Sequence, residues 1–338
     1  MEQHSSKLLT ISVAAYNGEA TLRKALDSCL VKNADRLEVI VVDDGSSDHT
    51  AQITEEYRQQ YPDLFRLIRQ PNGGYGSTIE SSLQAARGRY FRTLDCDDWL
   101  ETASLSTLLD FLADCDADVV FTNYRTVQGR HTVREFRVNL GRSSEQLYTF
   151  DTLGPGRLDL EIHALNCRTG VLRQADIRLP HHCSYTDMAY TFLAMTAAQT
   201  IRFCPVMLYN YRLGRDGQSV SIDSYRKHFD EYATVTRQVL AVAETLPDDA
   251  RDRLLRGRAR DIAQYGIELL LRFPAGEQVR RQLADYDGML RRDYPSIAAS
   301  MTNKNTRLLR ASRYLGPSYR LANWNAVRKI KSYPGRKP

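Results

Sequence analysis

The chain has 338 residues, 42% hydrophobic and 26% charged, the make-up of an ordinary globular protein with room for one large domain plus an extension or for two modest domains. Its net charge of +5 resides in the tail, where ten Lys or Arg and no Asp or Glu fall between Thr302 and Pro338; the rest is net acidic, and a chain-wide nucleic-acid surface loses its support. Six scattered cysteines without zinc spacing, and no apolar run of membrane-spanning length, lead us to expect reduced thiols and a cytoplasmic protein.

In chain order, Leu8–Val13, Leu37–Val42, Leu64–Arg69 and Tyr90–Leu94 are short apolar or β-branched runs that predict strands. Amphipathic stretches separate them, Ala20–Leu30, Ser47–Tyr61 and Tyr75–Ala86; a helical Thr102–Ala113 and a fifth strand, Asp118–Tyr124, follow. This βαβ alternation predicts an α/β fold with a mostly parallel central sheet, whose ligands sit outside the carboxyl ends of the strands. Arg125–Asp151 reads as a hairpin or insertion, and Leu153–Pro180 shows no usable period. Tyr185–Ala198 predicts a helix and Ile201–Arg212 a further strand. From Tyr225 onward Phe229–Leu246, Arg251–Leu271 and Glu277–Arg292 predict an α-helical C-terminal extension. We place the boundary at Ser224, giving a sheet domain over 1–224 and a helical region over 225–338 that ends in a basic tail from about residue 302.

The most informative stretch is Arg92-Thr-Leu-Asp-Cys-Asp-Asp-Trp99, an apolar strand running into Asp95, Asp97 and Asp98. Carboxylates this close repel one another and call for a cation, and hard oxygen ligands favour Mn²⁺ or Mg²⁺, the usual partners of a substrate diphosphate. The bland alternative is a solvated acidic turn with Asp98 capping the next helix. The second strand ends in Asp43-Asp44-Gly45-Ser46, so both acidic clusters are expected on one rim of the sheet, and two on one ligand-binding edge make a site.

Together with Tyr16-Asn17-Gly18-Glu19 after the first strand, Val41–Asp48 around the second and Leu94–Asp98 after the fourth, the chain resembles family 2 glycosyltransferases of the GT-A fold. Asn72-Gly73-Gly74-Tyr75-Gly76 and Ala86–Tyr90 fall where that family carries similar elements, and a weaker likeness continues through Tyr185-Thr-Asp187 and Tyr211–Ser219. The resemblance implies an inverting, metal-dependent transfer from a nucleotide-sugar, usually a UDP-sugar, to a hydroxyl acceptor, with a bacterial surface glycan or lipid-linked precursor as the expected acceptor. It implies that Asp43 meets the uracil ring with Asp44 beside it, and that Tyr16 and Glu19 line the nucleoside. It implies further that Asp95 faces the ribose, Asp97 holds the metal and Asp187 is the general base. Arg215 and Gln218 fall in a loop that often closes over the donor. Physical chemistry asks for the same division, since a cation neutralises the leaving diphosphate while a separate carboxylate takes the acceptor's proton. The chain departs from the family pattern at Ala14, where Pro is usual, at Thr78-Ile79-Glu80 for Ala-Arg-Asn, and at Thr186-Asp187 for Glu-Asp.

Three features stay open on sequence alone. Gly74 sits where loop N–H groups could approach a phosphate, or in a plain strand-to-helix turn. His163 is either a satisfied structural histidine or an acceptor or diphosphate contact. In the tail, Leu321, Trp324, Val327 and Ile330 make an apolar stripe beside Arg328, Lys329 and Lys331, with Pro317 dividing two short helices. That pattern suits either docking at the cytoplasmic face of an anionic membrane or packing on the protein itself. The rival readings are a sugar-phosphate nucleotidyltransferase, weakened by the lack of a basic Gly-rich loop after the first strand, and an inactive membrane-associated glycosyltransferase-like scaffold, weakened by the retained carboxylates. A nucleic-acid-binding protein has only the tail in its favour.

Overall fold

The computed structural model describes residues 7–138, 141–153, 158, 160–214, 221–247 and 249–331. Its contacts divide the chain into two units, Met1–Arg215 and Asp216–Pro338.

The first unit opens with β1 (Leu9–Ala15), α1 (Leu22–Asp27), β2 (Leu37–Asp43), α2 (Thr50–Gln60), β3 (Phe65–Arg69), α3 (Tyr75–Ala85) and β4 (Tyr90–Asp95). It continues through β5 (Trp99–Leu100), α4 (Thr102–Ala113), β6 (Val119–Gln128), β7 (His131–Phe136), β8 (Tyr148–Thr149), β9 (Leu165–Arg168), α5 (Thr169–Gln174), α6 (Thr186–Ala197) and β10 (Thr200–Leu213). Among the described residues ten strands join one sheet in the order β3-β2-β1-β4-β9-β6-β10-β5, with β7 on β6 and β8 on β10. β1, β2, β3, β4, β6 and β10 run one way; β5, β7, β8 and β9 run against them. The expected α/β fold with a mostly parallel sheet is therefore present. Strands covered on both faces read as continuous apolar runs, and Leu37–Asp43 is buried throughout. In β1 the buried hydroxyls alternating with Leu9, Ile11 and Val13 are satisfied: Thr10 donates to Glu38 (2.8 Å) and Ser12 to Ser82 (2.6 Å).

The unreadable stretch Leu153–Pro180 supplies β9, which slips antiparallel between β4 and β6 and is only four residues long. Fully buried Arg92 on β4 locks it in place, donating to Asn166 Oδ1 and to the His163 carbonyl, each at 2.9 Å.

The second unit is helical: α7 (Ile222–Lys227), α8 (Phe229–Thr245), α9 (Ala250–Leu270), α10 (Glu277–Asp293), α11 (Pro295–Ser300), α12 (Lys304–Ala311) and α13 (Gly316–Lys331). Pro317 stands in the first turn of α13, where its missing N–H costs nothing, so the tail does form two helices. Arg310 of α12 grips the fully buried Asp287 of α10 through two nitrogens at 2.7 and 3.0 Å. The helix α13 packs through Tyr319, Ala322 and Ala326, and the predicted stripe of Leu321, Trp324 and Val327 faces outward instead. Packing selected the small-residue face, which lets backbones approach closely, over the bulkier stripe. No helix among the described residues is long and apolar enough to cross a membrane.

Candidate active site

The chain direction reverses across the sheet at β1 and β4: β1 leads outward to β2 and β3, and the crossover through α3 returns to β4 on the other side. Crevices at such switch points are where open α/β sheets bind ligands. Register sets the acids there, since Ala15 pairs with Asp43 on one flank of β1 and Ala14 with Asp95 on the other. A cleft of about 280 Å³ opens at this point, lined by Ala14, Ala15 and Tyr16 from β1, Asp95, Cys96 and Asp97 from β4, and Asp44, Asn72, Gly74, Tyr75 and Thr78 between them.

The loops of this rim are tied to one another. Asp43 is buried, accepts the Ser46 N–H (3.0 Å) and faces the Arg69 guanidinium at 3.6 Å. The first loop is stitched to the loop after β2, with Gly18 N–H donating to Thr50 and Glu19 N–H to Asp48. The Glu19 carboxylate turns to His49, accepting its backbone N–H (3.0 Å) and meeting its ring at 2.7 Å. Glu19 therefore braces the loop and does not line the cleft, whereas Tyr16 lines it and is 56% exposed.

The glycine loop differs from the phosphate-cradle expectation. Asp44, buried, accepts the N–H groups of Gly73 (2.9 Å) and Gly74 (2.8 Å) and the Gln70 amide (2.7 Å), so a carboxylate already occupies the donors a phosphate would need. Gly74 has φ +84°, and a Cβ there would lie 2.9 Å from the His182 backbone nitrogen, so only glycine fits. His182 N–H in turn donates to the Gly73 carbonyl at 2.7 Å. Glu80, one of the family departures, accepts from Leu179 N–H (2.7 Å) and meets the His181 ring (3.0 Å), binding α3 to the segment that leads into Asp187.

Within the acidic turn, Asp98 is not a helix cap. Glu101 occupies the cap position of α4, and Asp98 is buried with Oδ2 accepting the Tyr209 hydroxyl and Oδ1 the Arg212 N–H, both at 2.7 Å. The same Tyr209 oxygen accepts the Asp95 N–H at 3.2 Å, so one phenol spans the turn. Burial, then the charges of Asp95 and Asp97, push the Asp98 carboxyl well above the usual range. One oxygen each of Asp95 and Asp98 and one ring nitrogen of His163 lie within 4.8 Å of one another. His163 stacks on Tyr211 (4.6 Å) and tilts against Tyr209 (4.7 Å), and its buried Nδ1 has no hydrogen-bond partner. Burial, helped by the Arg92 charge, drives its pKa down to about 3, so the ring is neutral and able to ligate. Two carboxylates with a neutral imidazole, and Asp97 on the same turn lining the cleft, form a donor set that fits a divalent cation.

Asp187 lies in the first turn of α6, entered through Tyr185 in the left-handed region at φ +65°. Two phenols report its place. Burial raises Tyr75 well above the ordinary tyrosine range, reinforced by the charge of Asp95, to which it hydrogen-bonds, and then by Asp187. Tyr211 is raised by burial and then by Asp98, Asp95, Asp97 and Asp187. The α6 carboxylate thus shares its neighbours with the acidic turn. Arg215 and Gln218 lie outside the described residues. Sequence reasoning missed Tyr75, Tyr209, Tyr211 and Arg92. The signal for two of them was present, because Tyr209 and Tyr211 alternate on a predicted strand and so share a face.

Residues 10–176 match the model described as glycosyl transferase family 2. EpsH of Bacillus subtilis is 35% identical over 116 residues, covering 34% of this chain and 33% of that protein. The poly(ribitol-phosphate) beta-glucosyltransferase of Bacillus spizizenii is 24% identical over 220 residues, covering 63% of this chain and 33% of that protein. The chain thus matches about a third of these two relatives' length. Among solved structures, S. aureus TarS 1–349 in complex with UDP-GlcNAc superposes with a TM-score of 0.70 at 20% identity, over 95% of this chain and 92% of that one. The matched motifs, the sheet order and this superposition agree: residues 10–176 form a glycosyltransferase family 2 domain, and the chain has the GT-A fold.

Proposed function

We propose that the chain is a metal-dependent, inverting glycosyltransferase that moves a sugar from a nucleotide-sugar, a UDP-sugar, to a hydroxyl of a bacterial surface glycan or its lipid-linked precursor. The observation that carries this reading is the crowding of acids at the switch-point cleft, with Asp95 and Asp97 in its lining and Asp95, Asp98 and the His163 ring gathered within 4.8 Å of one another. In this reading Tyr16 and Asp43 receive the nucleoside and Asp95 the ribose side. Asp97 would hold Mn²⁺ or Mg²⁺ together with the group of Asp95, Asp98 and His163, and an imidazole in the set favours Mn²⁺. The cation supplies charge neutralisation for the departing diphosphate. Asp187 takes the proton of the acceptor hydroxyl as it attacks the face opposite the leaving group, which inverts the anomeric centre. Asp44 holds the glycine loop that forms the cleft wall, and Arg215 and Gln218 serve as diphosphate contacts.

The UDP-GlcNAc of the TarS complex and the polyol-phosphate acceptor named for the Bacillus spizizenii relative support the donor and acceptor classes. Thermal shifts with UDP, GDP and CDP, with and without Mn²⁺, followed by a UDP-sugar panel scored for hydrolysis, test the reading. A Mn²⁺-dependent rise with UDP is expected, because a ligand bound only by the folded state stabilises it. No metal-dependent shift with any nucleotide or nucleotide-sugar would overturn it.

A further inference from the structure

We propose that the outward face of α13 is a docking surface for an anionic lipid bilayer. The helix is firmly seated on its inner side. Asn323 donates to the carbonyls of Leu271 (2.8 Å) and Phe273 (3.2 Å), the Tyr319 hydroxyl accepts the Gly276 N–H (3.4 Å), and Ala322 and Ala326 are buried. With packing satisfied there, the opposite face carries Leu321, Trp324 and Val327 at 49%, 55% and 37% exposure, and Leu315 just ahead of the helix is 62% exposed. At 100° per residue, Leu321, Trp324 and Val327 span a sector of about 120°, and Arg320 and Arg328 project within it. Arg328 lies over the Trp324 ring at 5.0 Å.

Charge chooses the occupant. From Thr302 to Pro338 there are ten basic residues and no acidic one, and of these Arg310 is turned inward to Asp287. A second copy of the chain meeting this face about a two-fold axis would oppose Arg320 and Arg328 to themselves, which disfavours it. A headgroup layer of negative lipids instead meets the guanidinium groups, while Trp324 and the two aliphatic side chains enter the acyl boundary. A rigid helix already folded on its own protein loses little entropy on docking, unlike a segment that must order at the membrane. This inference stands independently of the donor-site reading.

The test is co-sedimentation of the full chain with vesicles of phosphatidylcholine alone or mixed with phosphatidylglycerol, at low and high salt. Binding is expected only with the anionic lipid, weakening as salt rises. The triple variant Leu321→Ser, Trp324→Ser, Val327→Ser should lower the bound fraction at least about tenfold with an unchanged melting temperature. The pair Arg320→Glu, Arg328→Glu, fully outward and so neutral to folding, should abolish the preference for anionic vesicles. Equal binding to both lipids, or wild-type binding by the charge-reversed pair, would overturn the proposal. So would a triple variant that turns an oligomer into a monomer while vesicle binding persists, since that would make the face a contact between copies.

Discussion

Two buried aspartates, one in each unit, are handled in opposite ways. Asp287 in the helical unit is held by cations: Arg310 reaches it through two nitrogens and Arg291 at 3.0 Å. Asp98 in the sheet unit is equally buried, yet it is held by a phenol and a backbone N–H, and the neighbouring charges of Asp95 and Asp97 push its pKa up. A buried carboxylate met by arginine fastens α12 to α10. One met only by neutral donors among other carboxylates is left short of positive charge, so an added cation has something to gain. The first arrangement serves stability and the second is what a metal site requires.

This contrast can be broken by mutation. The largest effects are expected at the rim: Asp187→Asn should lower transfer roughly 10²–10⁴-fold while leaving the Mn²⁺-dependent UDP thermal shift intact. Asp97→Asn should lose that shift. If Asp187→Asn loses the shift as well, the base has been misplaced. Next comes Arg310→Ala, which leaves Asp287 buried with a weakened partner set and should cost about 3–5 kcal/mol in urea unfolding. Smaller again is Asp98→Asn in metal-free protein, where the lost acceptor costs about 1–3 kcal/mol and relief of the crowding with Asp95 and Asp97 offsets part of it. Equal losses in these two variants would show that the two sites do not differ as described. The smallest effect is at Glu277, fully exposed, whose carboxyl is held down to about 2 by Arg280 and then Arg281. A lowered folded-state pKa gives stability that is present above about 4.5, the ordinary value, and fades as pH falls toward about 2. Glu277→Gln should flatten the melting-temperature profile slightly in that window, and high salt should erase the difference.

Some elements were legible in the chain and others were not, for identifiable reasons. The strands β1 to β4 and β6, the helices between them, and α8, α9, α10 and the two tail helices of the second unit announce themselves by local periodicity; the six-residue α7 and α11 are too short to do so. The rim placement of Asp43 and Asp95 followed from parallel topology alone, and register bears it out. The strand β9 was invisible because four residues between two longer strands carry no period, and its position depends on Arg92 reaching Asn166. A capping role for Asp98 stayed open as an alternative because its partners, Tyr209 and the Arg212 backbone, are more than a hundred residues away in sequence. The glycine loop stayed open on sequence between a phosphate cradle and a plain turn because nothing local shows that Asp44 fills it.

In the tail, residue types determined that helices form and that they are basic and amphipathic. They did not determine which face packs. Tyr319, Ala322 and Ala326 lie inward because close backbone approach and the Asn323 bonds to the turn after α9 outweighed burial of the larger stripe. By itself the sequence determined the family, the sheet and the list of acids. Only the tertiary structure decided which acid is held by neutral donors, which phenols lie beside the carboxylates, and where His163 lies. Those outcomes depend on contacts between strand ends far apart in the chain, and periodicity within any one element carries no information about them.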